Sequence, residues 1–360
     1  MSGTAERFGE GCADCKLLAA CPTLPRIPGL LGILGAGQPL RTWSVTNGRD
    51  YAKCPAKDHL RRLHLPRSGE YDPAARRGKA VHARIEQLHR RHPPQPCTER
   101  HLRADLEQLQ QEWKLEAEQA LLGARQLAWH LPVCPLAPGT RVGRVRPEPT
   151  LAVYDPLADV MVLAKPDLLY EDGRAWVWLE SKTEGRTRVR DTDVLRKYPQ
   201  AAPTTVLLAA GVLGGERHGS QVELEILRPD GPDIYLVDPH DPVAVGRAGQ
   251  VVRDLAEAWH GDLLLDPHPG PWCADCEVAR WCTAGCRPTR GARRERRGRQ
   301  AAAHDRLRRR AGRGDSFSRG VQPPQPARRA RGLDQDALAC LLRGGEMVTG
   351  RGGHGWPGVS

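Results

Sequence analysis

Residues 165–183 read KPDLLYEDGRAWVWLESKT, and the fold turns on how this stretch is parsed. The runs before and after Asp172-Gly173 are apolar, rich in β-branched and aromatic residues, and bounded by Pro, Asp and Gly, which predicts strand, tight turn, strand. Glu180 and Lys182 are two residues apart, one full pleat of a strand, so both project to one face. Asp167, at the end of VLAKPD, lies 13 residues before Glu180, and a hairpin between the two strands can bring it alongside. Two carboxylates converging on one point repel unless a cation lies between them, and hard divalent ions prefer such oxygen ligands. A lysine beside that ion can orient or deprotonate a water and balance developing negative charge.

Working outward, TLAVYD, DVMVLAKPDLLYEDG and RAWVWLESK, from residue 149 on, form a predicted strand meander. A helical stretch over 191–212, interrupted by Pro199 and Pro203, precedes the strands QVELEILRP and DIYLVD and a helix over 241–260. Strands, a crossover helix and further strands imply an α/β fold, a central mixed sheet with helices on its faces. Upstream, Asp72 and Pro73 open a helix over 73–92 whose Val81, Ile85 and Leu88 share a face. A longer charged helix is expected over 98–124, and a Pro-rich connection over 131–148. Residues 1–40 show no sustained period and read as a cysteine-rich, metal-held module, with the main domain over 41–286.

The net charge of +11 invites a nucleic-acid partner, but its distribution qualifies that. Residues 287–360 hold 18 Arg, no Lys and 6 of the acidic residues, which leaves 36 basic against 37 acidic residues in the body. This Arg/Gly/Pro-rich tail has too little apolar content for a core and is expected to be disordered. No apolar run is long enough for a membrane span and no leader-like segment opens the chain, so a cytoplasmic protein without a membrane partner is expected. Eleven cysteines in such a chain favour metal ligation over disulfides. CADCKLLAAC (12–21) and CADCEVARWC (273–282) share the spacing C-x2-C-x5-C, whereas Cys97, Cys134 and Cys340 stand apart as spares.

KPDLLYEDGRAWVWLESKT resembles the signature of the PD-(D/E)XK nuclease superfamily, and further segments resemble its RecB-like branch in the expected order. WSVTNGRDYAKCPAKDHLRRLHLP (43–66) is similar to that branch's opening motif, with Ser44, Thr46, Tyr51, Cys54 and Pro55 in place. RGKAVHARIE (77–86) resembles the helix whose histidine binds the catalytic metal, which maps to His82. Gln200 fits the family's Gln-x3-Tyr, but Thr204 stands where the tyrosine belongs, and Tyr198 is too near Gln200 to replace it on one helical face. The resemblance covers about residues 42–286. It implies a restriction-endonuclease-like core and a DNA nuclease in which His82, Asp167, Glu180 and the carbonyl of Ser181 hold Mg²⁺ or Mn²⁺. Lys182 and Gln200 would complete the catalytic set. An exonuclease-like role on single-stranded or end-opened DNA in repair, recombination or defence would follow. The chain has no G-x4-G-K-[ST] loop, so a helicase or ATPase would act in trans.

In RecB-like nucleases such as the AddB subunit and the CRISPR-associated exonucleases, an early Cys and a late C-x2-C-x5-C triplet bind a 4Fe-4S cluster. Cys54 with Cys273, Cys276 and Cys282 reproduces that arrangement. Four thiolates also suit Zn²⁺, and spacing alone leaves both metals open. Cys12, Cys15 and Cys21 lack an evident fourth ligand. Cys286 can complete them or extend the late set, or the triplet binds nothing. Two competing functions remain: a catalytically silent metal-cluster protein that binds DNA or scaffolds a complex, and a zinc-stabilised RNA-binding or regulatory protein. The intact Asp167, Glu180 and Lys182 oppose the first, and an aromatic content of 5% offers the second no stacking platform.

Overall fold

The computed structural model describes residues 20–35, 40–67, 72–98, 102–137, 140, 142–187, 193–214 and 219–284. The sequence-based expectations for Cys12, Cys15, Cys286 and the 287–360 tail lie outside the described residues. In chain order the strands are β1 (Arg41–Trp43), β2 (Val142–Pro147), β3 (Leu151–Asp155), β4 (Val160–Ala164), β5 (Leu168–Asp172), β6 (Ala175–Thr183), β7 (Gln221–Arg228) and β8 (Gly231–Val237). The helices are α1 (Val45–Lys53), α2 (Pro55–Arg62), α3 (Pro73–His89), α4 (Leu102–Gln111), α5 (Ala117–His130), α6 (Val194–Lys197), α7 (Ala201–Ala209) and α8 (Pro242–Gly261).

The architecture is mixed α/β, as expected, but the strands divide into two sheets. One has the order β1-β4-β3 and the other β2-β5-β6-β7-β8. The predicted meander is therefore split between β4 and β5. Pro166 has no amide hydrogen to continue a ladder, and the chain changes sheets at Lys165-Pro166-Asp167. Asp167 consequently heads β5 instead of ending the strand before it. β2 was hidden in the segment expected to be a Pro-rich connection. It pairs antiparallel with β5 through a register shift between Val142 and Val145.

β6 is the central strand, antiparallel to β5 and parallel to β7, with α6 and α7 in the crossover. Burial on both faces explains its almost continuous apolar sequence. Trp176 and Trp178 enter the largest core with Leu207, Leu208, Val252 and Trp259 from α7 and α8. Val177 and Leu179 face the other way and pack with Leu168 and Tyr170. On that second side, α3, α4 and α5 bring Val81, Ile85, Leu109, Ala124 and Leu127 against Leu227 of β7.

The single helix expected over 98–124 is two helices. Lys114 adopts a left-handed conformation, φ 50°, and the amide of Leu115 turns back to the carbonyl of Leu109. No Gly or Pro marks this break. It follows from burying Leu115 in the α3–α5 cluster, with Trp113 packed against it. Pro203, by contrast, sits in the first turn of α7, where its missing N–H would have had no partner.

Residues 24–33 pack into the three-stranded sheet and the main core. Leu30, Leu31 and Ile33 are buried among core residues, and Arg26 bridges to Tyr154. The anchor is Asp155, fully buried at the end of β3. Its carboxylate accepts hydrogen bonds from the amides of Gly29 and Leu31, each 2.9 Å, and of Leu157, 3.0 Å. Breaking so enclosed a set leaves several amides unpaired. Asp155→Ala is predicted to lower unfolding stability in urea by about 3 to 5 kcal/mol. A loss under about 0.5 kcal/mol would show that the docked segment contributes nothing to stability.

Candidate active site

The register of β5 and β6 pairs Leu168 with Leu179, which sets Asp167 across from Glu180. Glu180 and Lys182 share the face of Trp178, and the Trp178 indole donates to Glu180 Oε1 at 3.1 Å. Ser181 points to the opposite face, yet its main chain belongs to the site. Its amide donates to Asp167 Oδ2 at 2.7 Å, and its carbonyl accepts from Lys182 Nζ at 2.7 Å. The same ammonium lies 3.1 Å from Glu180 Oε2 and 3.5 Å from Asp167 Oδ2. One cation thus gathers three oxygens that carry the negative potential of the site.

His82 arrives from α3, with Nδ1 3.3 Å from Asp167 Oδ1. This reach requires α3 to lie close to the end of β6. Gly78, one turn before His82, allows it: a Cβ there would stand 2.9 Å from Thr183 Oγ1. Glu180 forms the floor of the site, at 7% side-chain exposure, while His82, Asp167 and Lys182 are each about one-quarter open to solvent.

Electrostatics separates the two carboxyls. Burial raises the pKa of Glu180, opposed by Lys182 and reinforced by Asp167. Burial also acts to raise Asp167, but Lys182 and His82 outweigh it, and the Asp167 carboxyl falls well below the usual range. Burial would depress Lys182, but the two carboxylates dominate and hold it charged. Asp167, Glu180 and the Ser181 carbonyl around Lys182, with the His82 imidazole beside Asp167, offer donors of the types that Mg²⁺ or Mn²⁺ accepts. The convergence of three of these oxygens on one ammonium is the structural observation behind that fit.

Gln200 occupies the N-cap position of α7, and its side chain makes no capping hydrogen bond there. Thr204, at the position of the family's tyrosine, is buried, and its hydroxyl donates to the Gln200 carbonyl at 3.0 Å. Tyr198 is also buried and donates to Glu184 Oε1 at 3.0 Å.

The structure brings Cys54, Cys273, Cys276 and Cys282 to one cavity, although Cys54 is more than two hundred residues away in sequence. Ser44 caps α1 by accepting from the Asn47 amide at 3.3 Å, and Cys54 is the extended junction between α1 and α2, with Pro55 opening the second helix. The His268 amide points at Cys54 Sγ at 3.3 Å and the Gly270 amide at Cys273 Sγ at 3.4 Å. Burial pushes the Cys276 thiol up. Tyr51, from the opening motif, donates to Asp262 Oδ2 at 2.7 Å and helps tie α1 to this end of the chain. Of the early triplet, Cys21 is among the described residues, partly exposed beside Thr23 Oγ1 at 3.1 Å.

Two features escaped the sequence reading. Cys97 and Cys134 do not stand apart: with His89 and His130 they place four buried donor atoms within 4.8 Å of one another. Glu225 of β7, opposite Ser181 in register, accepts from the Ser181 hydroxyl at 2.6 Å and contacts His130 Nδ1 at 2.7 Å. The sequence signal for the first is the pair of His-Cys spacings at 89–97 and 130–134. Nothing local marked Glu225, because its importance depends on strand register.

Among solved structures, one named "Putative exonuclease" from Eubacterium rectale aligns with a TM-score of 0.38 and 14% identity, covering 65% of this chain and 86% of its own. The protein SSO0001 aligns with a TM-score of 0.27 and 15% identity, covering 64% of this chain and 95% of its own. No curated protein matches the sequence. A family model described as the PD-(D/E)XK nuclease superfamily matches residues 42–283, a span that contains His82, Asp167, Glu180 and Lys182, and the chain belongs to that superfamily.

Proposed function

We propose that this protein is a metal-dependent deoxyribonuclease of the RecB-like branch, acting as an exonuclease on DNA with free or single-stranded ends in repair, recombination or defence. The carrying observation is the convergence of Asp167, Glu180 and the Ser181 carbonyl on the Lys182 ammonium. His82, Asp167, Glu180 and the Ser181 carbonyl would hold Mg²⁺ or Mn²⁺. When bound, the ion supplies an acidified water and stabilises charge on the scissile phosphate. Asp167, kept ionised by Lys182 and His82, is anchored by the Ser181 amide and so presents one oxygen at a fixed place. Trp178 fixes Glu180 in its rotamer. Lys182 orients the attacking water and offsets the negative charge that develops on the phosphate. Gln200, at the start of α7, is assigned to substrate positioning. A helicase or ATPase in trans would open duplex ends, in the cytoplasm.

Cys54, Cys273, Cys276 and Cys282 would hold a 4Fe-4S cluster, with Zn²⁺ as the alternative. The support is their shared cavity and the two amides aimed at sulfur, an arrangement that favours thiolate ligation. Cys12, Cys15, Cys21 and Cys286 are kept as a candidate second cysteine site.

Asp167→Asn, Glu180→Gln and Lys182→Ala are each predicted to slow Mg²⁺-dependent degradation of end-labelled DNA by about 100-fold or more while leaving the chain folded, with a lowered thermal midpoint in Lys182→Ala alone because it leaves two carboxylates without their ammonium. Parental rates in all three would refute the site. Gly78→Val is predicted to lift α3 from β6 and impair cleavage through His82, with more recovery in Mn²⁺ than in Mg²⁺, since Mn²⁺ binds its ligands with less geometric demand. Equal impairment in the two ions would argue that the helix does not act through a metal ligand. Cys54→Ser should remove iron and the broad absorbance near 400 nm expected of a cluster, measured on anaerobically purified protein against Cys21→Ser. Unchanged metal content would remove Cys54 from the cluster.

A further inference from the structure

We propose that His89, Cys97, His130 and Cys134 form a closed structural zinc site on the face of the five-stranded sheet opposite the carboxylates. The inference does not depend on the nuclease reading. His89 closes α3, Cys97 lies in the chain that follows it, His130 closes α5, and Cys134 comes one turn later. All four are at least nine-tenths buried, at 2%, 7%, 1% and 3% exposure. Two imidazoles and two thiols, buried with one donor atom from each within 4.8 Å of the others, make a nitrogen and sulfur donor set of the kind a metal ion takes.

Two of the donor separations agree with a tetrahedral ion of the size of zinc. Tetrahedral Zn²⁺ with Zn–N of about 2.05 Å and Zn–S of about 2.3 Å sets nitrogens about 3.3 Å apart and nitrogen from sulfur about 3.6 Å apart. His130 Nε2 lies 3.3 Å from His89 Nε2, and Cys134 Sγ lies 3.6 Å from that same nitrogen. Both distances match edges of a zinc-sized tetrahedron, and the remaining donor separations are all within 4.8 Å. The mixed nitrogen and sulfur donors suit Zn²⁺ and exclude Mg²⁺ or Ca²⁺. Protein atoms fill all four positions, so no place is left for water or substrate, which marks a structural site and not a catalytic one.

The surroundings fit the same assignment. Glu225 Oε1 accepts from His130 Nδ1 at 2.7 Å, which leaves Nε2 with its lone pair directed at the other three donors. A carboxylate behind a ligating histidine is the usual device for fixing its tautomer and raising its basicity. The other oxygen of Glu225 holds the Ser181 hydroxyl at 2.6 Å. Zinc, His130, Glu225 and Ser181 would then form one rigid line through the sheet, ending on the residue whose main chain touches both Asp167 and Lys182.

The decisive measurements are zinc content and zinc X-ray absorption on full-length protein produced in zinc-supplemented medium. One zinc per chain with two sulfurs at about 2.3 Å and two nitrogens at about 2.0 to 2.1 Å is expected. Two per chain with an average of three sulfurs would also support the proposal, by placing zinc in the four-cysteine cavity as well. Absence of zinc, or zinc with four sulfurs only, overturns it. Cys97→Ser with Cys134→Ser should remove one zinc equivalent while iron content stays unchanged. Glu225→Gln should keep the zinc but weaken its retention against a chelator by about 10- to 100-fold. Unaltered retention would remove Glu225 from the line.

Discussion

Like charges forced together inside a protein must be neutralised, and in this molecule one ammonium does so. Lys182 lies against Glu180, Asp167 and the Ser181 carbonyl, and each of these depends on a different part of the fold. Glu180 and Lys182 need β6 to be regular for one pleat. Asp167 needs β5 to begin immediately after Pro166, in register with β6. The Ser181 carbonyl stays in place because the neighbouring amide is bonded to Asp167. If β5 slipped by one residue, Asp167 would move to the wrong face and leave the lysine with a single carboxylate.

Sheet and helices serve the same point from two sides. The tryptophan face of β6 packs on α7 and α8 and supplies the indole that holds Glu180. The other face packs on α3, α4 and α5, which bring His82 around the edge and His130 behind the sheet. Ser181 belongs to both sides, with its side chain in one and its main chain in the other. A central strand buried on both faces can couple two layers in this way, which an edge strand open to solvent cannot.

How much was legible in the sequence follows from how local each feature is. The juxtaposition of Asp167, Glu180 and Lys182 could be read because a hairpin and a pleat are set by a few consecutive residues. His82 could be assigned only through resemblance, since its approach depends on Gly78 lying against Thr183. The separation into two sheets was invisible because β4 and β5 read as one apolar passage with a proline in it. β2 was masked by neighbouring prolines, and the break at Lys114 by a sequence with no helix breaker. The His-Cys cluster was missed because its ligands come from the ends of two helices that meet only through tertiary packing, whereas the C-x2-C-x5-C triplet announces itself within ten residues.

The docking of α1 and α2 onto the last described segment has a consequence for synthesis. Tyr51 waits for Asp262, Arg61 for Glu277, the Pro66 carbonyl for Trp281, and Cys54 for the cavity it shares with Cys273, Cys276 and Cys282. These pairings span more than two hundred residues, so a ribosome must deliver nearly the whole domain before its first helices find their partners. Until then Trp43, which is fully buried in the finished fold, and a free thiol at Cys54 remain exposed on the nascent chain. Chains that terminate early keep that exposure permanently, and so present themselves to chaperones and proteases as unfinished.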